Sequence, residues 1–228
     1  MSQVTLYYGK GSCALAPHAV LRHIGIPFKA VEMLFRPGES GLQASDGSLS
    51  NAEFRKINPA GYVPVLVVDG EPVTEQFAVI IMAASLSPDK EAGAALLGRD
   101  QLDRVRVAQW MAWISDTLHS SGYGAHLHPE RYVEDNKDMY DAVKAKGLKT
   151  IKYSYDLIEK RLGERAYAVG QYLTVVDFFL YVVWTWGTPL AHIDMKIYPA
   201  YEKLVRRMEA LDGVKKAVEA EGLNLWLE

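Results

Sequence analysis

Residues 58–76 read NPAGYVPVLVVDGEPVTEQ, and the order of events along them decides the fold. An apolar run over 63–68 is interrupted by Pro64 and turned at Asp69-Gly70. It resumes at Pro72-Val73-Thr74 and is followed at once by the acid Glu75, which opens an apolar helix. That order is strand, hairpin, strand, helix. Pro64 has no N–H for a sheet ladder, so its place at the head of a strand predicts an edge or a tight bend, with a cis peptide bond after Val63. The Val63 backbone N–H and C=O then face outward, free, beside a helix N-terminus. Such an arrangement can hold an extended peptide and its negatively charged end.

Upstream, residues 4–8 (VTLYY) are rich in β-branched and aromatic side chains and end in Gly9-Lys10-Gly11, which predicts a strand running into a tight turn. Apolar residues at helical spacing then predict a helix over 13–23, stopped by Gly25, with Pro17 tolerated near its start. Residues 28–34 form a second strand candidate, and a βαβ unit makes the two strands parallel. Between them and the opening stretch lies a polar segment, 36–57, with a short helix expected over 51–57. The loop 36–50 is of the length and composition of a lid or a plain insertion, and is expected to overhang the same cleft.

Beyond Pro88 the periodicity is helical throughout. Leu102, Val105, Ala108, Ala112 and Ser115 or Leu118 form one stripe, with Trp110 and Trp113 alongside, and Met139, Val143, Ile151, Tyr155, Ile158 and Leu162 form another, both expected to face the core. Thr174 stands three residues before Asp177 at the head of the most apolar helix of the chain, the signature of a capping box. Pro199 and Gly213 are expected to bracket a further helix over 200–211. The chain therefore divides into an α/β part, residues 1–87, a linker, 88–98, and an all-helical part, 99–228.

Composition narrows the function. The net charge of -3 and scattered basic residues argue against nucleic acid or an anionic membrane as the main partner. The longest apolar run, 178–184, is too short to span a bilayer. A single cysteine, Cys13, excludes an internal disulfide, and the N-terminus lacks the pattern of a signal peptide, so the cytoplasm is the expected compartment.

Five pieces, in this order, carry a resemblance: YYGKGSCALAPHAVLRHIG (7–25), NPAGYVPVL (58–66), TEQFAVI (74–80), GQYLTVVDFFLY (170–181) and EALDGVKKAVEAEGL (209–223). The chain resembles the cytosolic glutathione transferases, most closely their bacterial beta class. The resemblance implies a thioredoxin-like βαβ-ββα domain followed by an all-helical domain, a homodimer, and glutathione as co-substrate. It also implies conjugation of the glutathione thiolate to small hydrophobic electrophiles, as in detoxification. Glutathione-dependent thiol exchange or reductive cleavage, and a non-catalytic glutathione-binding or regulatory role, remain as alternatives on the same fold.

Carried onto residues, the resemblance implies that Val63, with Tyr62 and Pro64 beside it, pairs by its backbone with the cysteinyl unit. Glu75 helps to hold the γ-glutamyl end. Gln76 stands where the family carries a small residue, and Ala112 and Ser120 stand where its bacterial members carry an asparagine and a lysine. Cys13 falls on the characteristic cysteine of the beta class. At a helix N-terminus its thiolate is expected to be favoured and its pKa lowered, so that it assists the glutathione sulfur or forms a mixed disulfide. Ser12 is the second candidate for the catalytic group and the strand tyrosines Tyr7 and Tyr8 the third. His119 is expected at a helix end, either solvated or reaching the glutathione site. Trp110, Trp113 and Tyr123 are candidate walls of the second-substrate cleft, although domain packing explains the tryptophans better. His126 and His128 have no evident third ligand, and no metal is expected.

Overall fold

A computed structural model describes residues 2–36 and 41–227. Its first half is a sheet of five strands in the order β3-β2-β1-β4-β5. β1 (Val4–Tyr8) lies at the centre, parallel to β2 (Lys29–Phe35), which returns after α1 (Leu15–Ile24). On its other side β1 pairs antiparallel with β4 (Val65–Val68), which turns through Asp69 and Gly70, both at positive φ, into β5 (Glu71–Val73). Two successive positive-φ residues are what a tight hairpin of this twist requires.

The segment expected to be a free loop holds a further strand, β3 (Leu42–Ala44), antiparallel to β2 and wholly buried. Arg36 donates to the Ala44 and Ser45 carbonyls and Leu49 packs beneath, so residues 41–50 are fastened to the sheet margin rather than hung over a cleft. Residues 37–40 of that expected lid lie outside the described residues. Three residues are too few to show a period of two, which is why this strand leaves no pattern in the sequence.

Alternation along β1 sends Tyr7 to one face and Leu6 and Tyr8 to the other. Tyr7 meets Phe54 of α2 (Asn51–Ile57), a helix started by a Ser50–Glu53 capping box. Leu6 and Tyr8 meet α1 and α3 (Gln76–Ser85) in the large core that continues into the second half. The expected linker is itself helical: α4 (Lys90–Leu96) is capped by Asp89 and buries Gly93 and Leu96.

In the second half, α5 (Gln101–Trp113) passes directly into a π-helical segment, Ile114–Gly124, and then α6 (Ala125–Leu127) and α7 (Glu130–Val133). The long α8 (Tyr140–Leu162) packs against the π-helical segment. α9 (Val175–Ala191) is the buried centre, buried from Val175 through Gly187. Its capping box is formed as expected: the Thr174 N–H donates to Asp177 Oδ2 at 2.8 Å, and the Ala168 N–H reaches Oδ1 at 2.8 Å. α10 (Pro199–Glu209) and α11 (Asp212–Ala220) complete the chain.

Gly213 does not stop a helix as expected; it lies in the first turn of α11. A Cβ there would come within 2.6 Å of the His23 backbone, so the absent side chain is what lets α11 lie on α1. Among the described residues no helix is long and apolar enough to cross a membrane.

The stripe on α5 is a second correction. Leu102 and Val105 are 56% and 59% exposed, and Ala108 and Ala112 are exposed with them. The face turned inward carries Asp103, Val107, Trp110 and Met111. A helix with apolar residues on both faces has an ambiguous period, and only packing chooses between them.

Candidate functional site

The Val63–Pro64 peptide is cis, at the head of β4. β4 is an interior strand rather than an edge, so Pro64 marks the bend just before the ladder begins. Asn58, 6% exposed, shapes that bend. Its side chain accepts from the Ala60 N–H at 3.1 Å and donates to the Tyr62 carbonyl at 2.7 Å. The loop is thereby folded back, and Tyr62 is left 49% exposed with the half-buried Val63 behind it.

Three parts of the chain converge here. Gly9 follows β1, and a Cβ on it would meet Ser12 Oγ at 3.4 Å and Val63 Cγ2 at 3.5 Å. Cys13 Sγ lies 3.8 Å from the Val63 carbonyl, to which its thiol donates weakly. The carbonyl expected to be wholly free therefore has this soft partner. Among the described residues the Val63 N–H has none.

Cys13 corrects the expectation of an activated thiolate. Regular α1 begins only at Leu15, and Cys13 sits in the turn before it, buried in the main core. Loss of water pushes its pKa up from 9.0 to about 12, against the lowering effect of the Cys13 and Ala14 amides. Burial outweighs the helix start because the sulfur points inward, into apolar surroundings. Ser12 is the more open neighbour: its Oγ accepts from the Ala14 N–H at 3.2 Å and keeps its own proton for another acceptor. Tyr7 packs on Phe54 and Tyr8 on His18, and burial raises the pKa of both.

At the start of α3, Glu75 is exposed and held at φ 67°, a strained conformation for a residue with a side chain. Gln76 is 7% exposed, and among the described residues neither its Oε1 nor its Nε2 has a hydrogen-bond partner. A buried amide with both ends unsatisfied costs stability unless something else completes it.

His119 is not at a helix end. It lies within the π-helical segment, 5.3 Å from the Trp186 ring and 6.2 Å from Phe179. Withdrawal from water, with the Arg131 charge adding to it, pulls its pKa from 6.5 down to about 4. Arg131 also stacks 5.0 Å over the Tyr62 ring, bridging the two halves. Trp110 and Trp113 stack instead on Arg161 of α8, and Tyr123 is buried under Trp186 with its hydroxyl 2.5 Å from that of Tyr155. All three serve packing. His126 faces the Lys144 carbonyl and His128 faces Glu130. The residue that sequence reasoning missed is Trp186, whose indole Nε1–H donates to the Gly11 carbonyl at 2.9 Å. Its position on the most apolar helix, just beyond the run 178–184, hid a polar group with a long-range partner.

Residues 11–86 match the N-terminal domain of glutathione S-transferase and residues 118–212 match its C-terminal domain. The chain belongs to the glutathione S-transferase family. It is 27% identical to the glutathione S-transferase GST-4.5 of Xanthomonas campestris pv. campestris, the match covering 96% of this chain and 99% of that one. Among solved structures it is similar to a sphingomonad glutathione S-transferase complexed with glutathione, with 28% identity, a TM-score of 0.78 and coverage of 96% and 100%. The bacterial beta class glutathione S-transferase of Sphingomonas chungbukensis is likewise similar, with 28% identity, a TM-score of 0.79 and the same coverage. Within this glutathione S-transferase fold the convergence of Gly9, Ser12, Cys13 and Val63 lies where the two halves meet, with His119 and Trp186 on the helical side.

Proposed function

We propose that the protein conjugates glutathione to small apolar electrophiles. The observation that carries this reading is the contact of Cys13 with the Val63 carbonyl, with the Ser12 hydroxyl and the Val63 side chain both beside Gly9: groups that can act on a sulfur stand near a backbone donor free to hold an extended peptide. The cysteinyl unit pairs with Val63, its acceptor meeting the open N–H and its donor displacing the weak thiol contact at the carbonyl. The γ-glutamyl end reaches Glu75, the Gln76 amide and the N-terminus of α3, where free N–H groups and the helix dipole favour a carboxylate.

The glutathione thiol gives its proton to solvent, and the thiolate is held by the Ser12 hydroxyl with the protonated Cys13 as a weaker donor. Attack on an activated aryl halide forms the S–C bond and releases halide. A Cys13 thiol with a pKa near 12 disfavours the exchange alternative, which needs a thiolate at this position. Tyr62, His119 and Trp186 wall the second-substrate side.

Calorimetry with glutathione and conjugation of an aryl halide test the reading, in the parent, Ser12→Ala and Cys13→Ala. The expected result is glutathione binding in all three, with the larger fall in kcat in Ser12→Ala. Absence of binding by the parent overturns the proposal, and disulfide reduction lost only in Cys13→Ala replaces conjugation by exchange. A homodimer is part of the same proposal, supported by the unpartnered apolar stripe Leu102, Val105, Ala108 and Ala112 on α5.

A further inference from the structure

The loop between β1 and α1, which carries Ser12 and Cys13, is held by the far end of the chain. Gly11, at φ 65°, has both of its backbone polar groups taken by the helical half. Its N–H donates to Glu221 Oε2 at 2.8 Å, and its C=O accepts from Trp186 Nε1 at 2.9 Å. Glu221 follows α11 and is 4% exposed. Its second oxygen, Oε1, lies 2.9 Å from Nδ1 of the fully buried His18 on α1. Arg22 Nε–H points at His18 Nε2 from 3.4 Å, which makes Nε2 an acceptor and leaves the ring proton on Nδ1, facing the carboxylate.

Glu221 is itself fixed. Its N–H closes the last turn of α11 onto the Ala217 carbonyl, and the tail beyond it is tied down where the Trp226 and Leu227 N–H groups reach the buried Glu209 at 2.6 and 3.1 Å. A buried carboxylate is retained only where its acceptors are filled, and among the described residues the filling groups belong to the loop and to α1.

We infer that Glu221 is a positioning residue for the reaction: held by His18, it clamps Gly11 against Trp186 and so sets where Ser12 and Cys13 stand relative to Val63. Glu221 touches no reacting atom in this scheme and acts through the loop. The consequence for catalysis rests on the transferase reading, whereas the clamp itself does not. Val63, Glu75 and Gln76, which hold the tripeptide, lie on other elements, so loosening the clamp affects kcat more than the KM for glutathione.

Cys13 is the only cysteine, and that makes it a probe of the loop that needs no catalysis. Iodoacetamide labelling of the full-length protein without glutathione is followed by mass, in the parent, Glu221→Gln and Glu221→Ala. Leu162→Ala, which opens a cavity at the far end of α8, serves as a control for general destabilisation. Labelling in Glu221→Ala is expected to rise at least about tenfold, because local opening of the loop exposes the sulfur. Glu221→Gln, which keeps an oxygen for the Gly11 N–H, stays within about threefold of the parent, and Leu162→Ala does the same. In conjugation assays Glu221→Ala is expected to lose about tenfold in kcat with the KM for glutathione within about threefold.

Equal labelling of Glu221→Ala and parent overturns the clamp. So does an equal rise in Leu162→Ala, which makes the effect a general loosening. If Glu221→Ala does not fold, Trp186→Phe removes the indole N–H together with part of the ring and carries the same labelling test against the Leu162→Ala control, with labelling unchanged or no higher than in that control counting against the clamp. A parent that binds no glutathione overturns the transferase reading, and the labelling contrast then decides the clamp alone.

Discussion

At the scale of single residues, the chemistry of the site turns on two side chains whose environments differ from what their types imply. Cys13 sits just ahead of a helix yet keeps its proton, because withdrawal from water outweighs the neighbouring amides. A rise from 9.0 to about 12 lowers the thiolate fraction by about 10³, so alkylation of the parent at pH 8 should be slower than that of a small thiol by a comparable factor. A rate equal to that of the small thiol would show an open, ionised sulfur instead. Gln76 carries a buried amide without partners among the described residues, a penalty of about 1–3 kcal/mol in the unliganded protein. Replacement by methionine, similar in shape and apolar, should therefore raise the thermal midpoint while weakening glutathione binding about tenfold or more in calorimetry. A midpoint that falls would mean that the amide is satisfied after all.

His119 makes a pH prediction at the same scale. Its folded pKa, near 4, lies below the ordinary 6.5 of the unfolded chain. The fold favours the neutral ring, so the stabilisation linked to it is complete above pH 6.5 and is lost as pH falls from there toward 4. His119→Asn should flatten that part of a stability-against-pH curve measured by urea unfolding. An unchanged slope would place the titrating group elsewhere.

Elements show why local signals differ in worth. The head of α9 is strongly encoded: Thr174 and Asp177 satisfy each other and the Ala168 amide within a span of ten residues, so spacing alone reveals the cap. Asp177→Ala removes the acceptor and strands two N–H groups in the core, and about 2–4 kcal/mol should disappear from the unfolding free energy. A loss under about 0.5 kcal/mol would mean that the box contributes little. α5 is the opposite case. Its sequence has apolar residues on two faces, and the fold buries the one with Val107 and Met111 and leaves Leu102 and Val105 outside. β3 is shorter still and owes its existence to the β2 edge it covers.

For the whole molecule, the exposed face of α5 sets the expected assembly. Leu102→Glu together with Val105→Glu should convert a dimer into a species with the 25.4 kDa mass of one chain in light scattering, with the helical signal retained. A parent already at that mass would remove dimerisation from the proposal.

The α/β half followed by a helical half, the cis bend before β4 and the placing of Glu75 at the head of α3 are all encoded within short windows. Turn residues, proline and helix caps act on their immediate neighbours, so their meaning survives without the rest of the chain. Features that depend on distance in space emerge only once the chain has packed: Cys13 is buried, His119 lies on Trp186, and Gly11 is held by residues 186 and 221. The physical reason is that desolvation and long-range hydrogen bonds depend on what packs around a group. For the stretch 58–76 that surrounding is supplied by the β1–α1 loop and, across the cleft, by the helical half.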